Sequence, residues 1–101
     1  MAEGGHIIQV KVKLFGHLRQ FPSEPVIVLE VRAGITVYDL ILELTNRLGE
    51  NFRKAMLDSR GKLHGGIEII LKQEILPARK LNVIPLSENC ELLIVPMIEG
   101  G

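Results

Sequence analysis

The stretch Val26-Ile27-Val28-Leu29-Glu30-Val31-Arg32-Ala33-Gly34-Ile35-Thr36-Val37-Tyr38-Asp39-Leu40 decides the fold, because one periodicity gives way to another inside it. From Val26 to Arg32 apolar residues alternate, with Ile27, Leu29 and Val31 on one face, which is the pattern of a half-buried strand. Ala33-Gly34 ends it. Thr36, with Asp39 three positions on, supplies side-chain oxygens for the first N–H groups of a helix. Val37, Leu40, Ile41, Leu44 and Leu48 then follow at helical spacing, and Gly49 stands where a C-terminal cap belongs. That stripe predicts a helix packed on a sheet.

Working back from Val26, Ile8, Val10, Val12 and Leu14 alternate with Gln9, Lys11 and Lys13, a second half-buried strand. The segment Gly16 to Phe21, leading to Pro22 and Pro25, reads as the turn of a hairpin. Residues 1–6 are small, polar and glycine-rich, an expected disordered segment.

Working forward, 51–58 reads as a short helix burying Phe52, Met56 and Leu57, and Ser59 to Gly66 as a surface loop. Ile67 to Lys72 is a third strand. Glu74-Ile75-Leu76 is a brief fourth, stopped by Pro77. Ala78 to Leu86 has no clear period and predicts irregular or single-turn helical structure. Ser87-Glu88-Asn89 is a turn in which Asn89 can take a left-handed conformation. Leu92 to Val95 is apolar on both faces, as an interior strand is. The sum is an α+β two-layer domain over residues 7–97, antiparallel strand pairs with one main helix over one face, with 98–101 as a flexible tail.

Composition narrows the function. Twelve Lys+Arg balance twelve Asp+Glu, and aromatics are few, which argues against nucleic-acid binding. With 47% apolar and 24% charged residues the chain reads as globular, and no apolar run is long enough for a membrane span. Cys90, the sole cysteine, fits a cytoplasmic setting and reads as inert packing. His6, His17 and His64 have no metal-ligand spacing. No nucleophile with a base can be assembled, and no glycine-rich phosphate loop is present, so no catalytic residue, metal or bound cofactor is expected. Gly100-Gly101 is different. A Gly-Gly end can lie extended in a narrow channel and leaves its carboxyl unhindered for activation.

The order of elements with a terminal Gly-Gly resembles the β-grasp, or ubiquitin-like, fold, which implies a mixed four- to five-stranded sheet packed on one main helix, and Val26 to Leu40 looks like its second strand and helix start. The segment Ser87-Glu88-Asn89-Cys90-Glu91-Leu92-Leu93-Ile94-Val95-Pro96-Met97-Ile98-Glu99-Gly100-Gly101 resembles the end of the MoaD/ThiS sulfur-carrier family more closely than ubiquitin. Residues 51–66, with Gly61-Lys62-Leu63-His64, resemble the longer members, carriers for cysteine biosynthesis among them. The resemblance implies a protein co-substrate, not an enzyme. An E1-like enzyme would use ATP to adenylate Gly101, and a sulfur donor would convert it to a thiocarboxylate. A synthase subunit would take the sulfur in molybdopterin or thiamin biosynthesis, or an activated serine derivative would accept it. Gly100, Glu99 and Ile98 would lie in the partner's channel. Independently, the outward face of the last strand, Leu93 and Val95 or Leu92 and Ile94 depending on register, leading to Met97, is expected to leave apolar area for docking a partner unless the second helix or the Ala78–Leu86 segment covers it. Two departures stand out: Glu99 occupies a position where a small residue is common, and Cys90 one where aspartate is. A ubiquitin-like modifier joined to lysine through Gly101, or a β-grasp adaptor with an idle tail, are the alternative readings.

Overall fold

The computed structural model describes residues 6–97. Strand β1 (Ile7–Leu14) turns through a 3₁₀ helix (Gly16–Gln20) into β2 (Val26–Arg32), β3 (Ile35–Thr36) and helix α1 (Val37–Leu48). Helix α2 (Glu50–Met56), β4 (Ile67–Leu71), β5 (Glu74–Ile75), a second 3₁₀ helix (Ala78–Lys80), β6 (Pro85–Leu86) and β7 (Cys90–Pro96) follow. The five-stranded sheet has the order β2-β1-β7-β4-β5. β1 is antiparallel to β2, with Val10 opposite Leu29, and parallel to β7, with Val10 opposite Cys90. A mixed α+β sheet of five strands under one main helix is therefore the architecture.

The alternation in β1 is carried through: Ile8, Val10, Val12 and Leu14 are buried while Gln9 and Lys11 face solvent. They pack with Ile27, Leu29, Ile69, Leu92 and Ile94 against Val37, Leu40, Ile41 and Leu44 of α1. Full burial of each such side chain contributes roughly 1.5–3 kcal/mol of transfer free energy. The helical stripe departs from expectation at its end. Leu48 is only half-buried, whereas Thr45 is buried, its hydroxyl donating to the Leu42 carbonyl at 2.7 Å.

The unperiodic segment after Pro77 has a definite task. The first turn of a helix leaves N–H groups without intrahelical partners. In α1, Val37 N donates to the Ile84 carbonyl at 2.9 Å and Tyr38 N to that of Leu81 at 3.0 Å. Asp39 N donates to Thr36 Oγ1 at 3.1 Å, as the capping pattern predicts. A two-stranded ladder pairing Ile35 with Leu86 and Thr36 with Pro85 holds this segment in place. Such two-residue strands carry no sequence period.

Three local expectations are corrected. Gly16–Gln20 is a 3₁₀ helix that buries Leu18, not an open turn. The second helix ends at Met56, and Leu57 is extended and bridges Leu63; Phe52, Met56 and Leu57 are all buried. Asn89 is not left-handed; among the described residues the non-glycine positions with positive φ are Lys72 (54°) and Gln73 (69°). Asn89 uses its Oδ1 to accept from Gln9 N at 2.8 Å, tying the entry of β7 to β1.

Candidate functional site

β7 lies between β1 and β4, so its two faces have different surroundings. Leu92 and Ile94 point into the core and are fully buried. Leu93 and Val95 therefore take the opposite face, where both are half-buried. Leu93 stands opposite Ile70 of β4, and Ile70 opposite Ile75 of β5, which is 59% exposed. On the β1 side Leu93 neighbours Lys13, whose ammonium pairs with Glu91 at 3.2 Å. The result is an apolar row rimmed by charge, the usual composition of a contact surface. The Ala78–Leu86 segment and α2 both pack on the helix side, through the α1 N-terminus and α1 respectively, and leave this row open.

The row leads to the base of the tail, which is gripped from two sides. Gly16, at φ +60°, lies so close to Pro96 that a Cβ there would come within 2.8 Å of Pro96 Cγ. On the other side Met97 N donates to the Gly66 carbonyl. Gly66 has φ +86°, and its Cβ position would lie 3.5 Å from the Met97 carbonyl oxygen. Glycine is the residue that takes such conformations without penalty. Met97 itself is 49% exposed and continues the apolar row. Leu93, Val95 and Met97 thus share one surface. Ile98, Glu99, Gly100 and Gly101 lie outside the described residues.

Cys90 opens β7 half-buried, and burial pushes its thiol above the ordinary range, against the smaller opposing effect of Lys72. A thiol held protonated is a poor nucleophile. Among the described residues no cluster of three His, Cys, Asp or Glu could hold a metal ion, and no helix is long and apolar enough to cross a membrane.

The ThiS family model matches residues 12–101, from the middle of β1 through the final glycine. The chain belongs to the ThiS family. It is thus one of the ubiquitin-like sulfur-carrier family of small proteins, which are not themselves catalysts. Several solved structures are similar to this ThiS-family chain. SAMP1 from Haloferax volcanii superposes with a TM-score of 0.79 at 20% identity, covering 92% of this chain and 99% of that one. The small archaeal modifier protein 1 from Methanosarcina acetivorans gives 0.71 at 28% identity, covering 96% and 100%. The Amycolatopsis orientalis BexX/CysO complex gives 0.64 at 28% identity, covering 91% and 99%. No curated protein matches.

Proposed function

We propose that this ThiS-family chain is a sulfur carrier whose reacting atom is the carboxyl carbon of Gly101. An E1-like enzyme uses ATP to activate the carrier. The Gly101 carboxylate attacks the α-phosphorus and pyrophosphate leaves. Hydrosulfide supplied by a donor attacks the acyl carbon, the bond to AMP breaks and AMP leaves, and a thiocarboxylate and a proton remain. A synthase subunit then transfers that sulfur to a molybdopterin or thiamin precursor. The carrier contributes the acyl group and the means of presenting it: Leu93, Val95 and Met97 dock, while Ile98, Glu99 and Gly100 thread the channel.

The observation that carries this reading is the continuity of the open apolar row with the clamped base of a tail that the family match includes. A rigid platform immediately before a thin tail lets docking energy position the carboxylate, because little ordering entropy is left to lose at Pro96–Met97. The likeness to CysO, solved in complex with BexX, supports a protein partner, and cysteine biosynthesis is kept as another sulfur destination.

A second reading has its own support. The likeness at 28% identity to a protein named as an archaeal modifier favours isopeptide conjugation through Gly101. Intact-mass analysis of the protein from its own cells under reducing conditions separates the two. A C-terminal fragment heavier by exchange of one oxygen for one sulfur establishes the carrier, and lysine conjugates establish the modifier. Only unmodified chain, with no activation by the host's E1-like enzymes, overturns both.

A further inference from the structure

On the helix side, away from the docking row, a cleft of about 470 Å³ opens between the 60–63 loop and the 78–82 segment. Tyr38, Leu63, Ala78 and Leu81 give it an apolar lining, while Arg60 and Lys62 on one wall and Arg79 on the other supply three cations. No acidic side chain lines it, and these three cations form no ion pair among the described residues. The chain as a whole is charge-balanced, so this concentration of one sign in a concavity is local.

The loop that presents Arg60 and Lys62 is tightly held. Asp58 Oδ1 accepts from the backbone N–H groups of Arg60 (2.8 Å) and Lys62 (3.0 Å). Asp58 N donates to the Lys62 carbonyl at 2.8 Å, and the Tyr38 hydroxyl donates to that of Gly61 at 2.5 Å. Gly61 has φ +81°, and a Cβ there would sit 3.1 Å from the Tyr38 oxygen. The opposing wall is fixed through the Tyr38 N bond to the Leu81 carbonyl. Both walls are therefore tied to the same residue, and the cleft is largely formed before any ligand arrives.

We propose that this cleft binds a phosphorylated small molecule, its phosphate held between the Arg60 and Arg79 guanidinium groups with Lys62 beside them, and its body against Tyr38, Leu63 and Leu81. Guanidinium groups match phosphate oxygens in pairs, and charge-assisted bonds of this type are the stronger ones. A small molecule is favoured over a protein segment because the three cations line one ligand-sized concavity that also has an apolar lining. Occupation would tie the 60–63 loop to the segment that caps α1, stabilising the fold by mass action.

The test uses the carrier alone, with no activating enzyme, so its outcome is independent of the sulfur-transfer reading. Amide spectra are recorded during titration with AMP, adenosine and inorganic phosphate separately. AMP is expected to shift Gly61, Leu63, Leu81 and Asn82 saturably, inorganic phosphate to do so more weakly, and adenosine not at all. The exposed pair Arg60→Ser/Arg79→Ser, with its urea midpoint checked to confirm folding, should weaken AMP at least about ten-fold. Absence of saturable shifts overturns the proposal, as does full retention of them in that double variant. Shifts produced by a glutamate-rich peptide but not by AMP also overturn it, in favour of an acidic protein partner.

Discussion

A Cβ on Gly16 would stand 2.8 Å from Cγ of Pro96, so the turn after the first strand and the last residue of the final strand meet where only a hydrogen fits. The contact fixes the platform from which the tail departs. Gly16→Ala should destabilise the protein by about 1–3 kcal/mol, combining a left-handed backbone penalty with the clash. The double variant Gly16→Ala/Pro96→Ala should recover the clash component. Urea unfolding of the cycle measures it, and strictly additive losses would refute a direct contact.

The two faces of β7 predict opposite phenotypes. Leu92→Ala removes a fully buried side chain and should cost about 2–5 kcal/mol. Leu93→Ser on the open face should cost less than half of that, yet impair activation by the E1-like partner. Denaturant midpoints and adenylation rates measured on both variants check the split. A Leu93 variant with unimpaired activation would remove this face from the docking surface.

The β4–β5 turn offers a stabilising change. Leu71 pairs with Glu74, leaving Lys72 and Gln73 as a two-residue loop with both φ values positive. Asn and Gly suit those positions far better. Lys72→Asn/Gln73→Gly should stabilise by about 1–2 kcal/mol, read as a raised urea midpoint.

Acid should act partly through Asp58. Its carboxyl is held below the ordinary value first by the Lys62 backbone N–H, then by that of Arg60. A depressed folded-state pKa adds stability that is fully present above the unfolded pKa and lost as pH falls through the folded value. Asp58→Asn keeps an accepting oxygen but no charge. Its urea midpoint should fall less steeply than the parent's as pH drops from neutral through the carboxylate range, and identical slopes would contradict the assignment.

The elements built on long periodic runs were legible in the sequence. Ile8 to Leu14 and Val37 to Leu44 bury the faces their spacing implies, and Thr36 caps α1 as its spacing from Asp39 suggests. What escaped is tertiary. The pairing of Ile35 with Leu86 spans two residues and leaves no period, and Lys72-Gln73 turns the chain without a turn residue. Asn89 illustrates the limit in one residue: its turn propensity was visible, but its acceptor role depends on Gln9, eighty positions away. For β7 the interior position was legible, but which of its apolar faces meets the core follows only from the burial of Leu92 and Ile94. The cationic cleft joins segments whose proximity no local pattern announces.

The parallel pairing of β1 with β7 has a consequence for biogenesis. The first strand waits for the last, since Val10 meets Cys90 and Leu14 meets Ile94. Closing so long a span is slow, and an unfinished chain exposes the unpaired edge of β1. During synthesis the sheet cannot be completed until β7 has emerged from the ribosome. A truncated product therefore lacks its central strand and is left open to proteolysis. Foldedness then serves as proofreading: chains that survive as folded molecules have been made at least through β7.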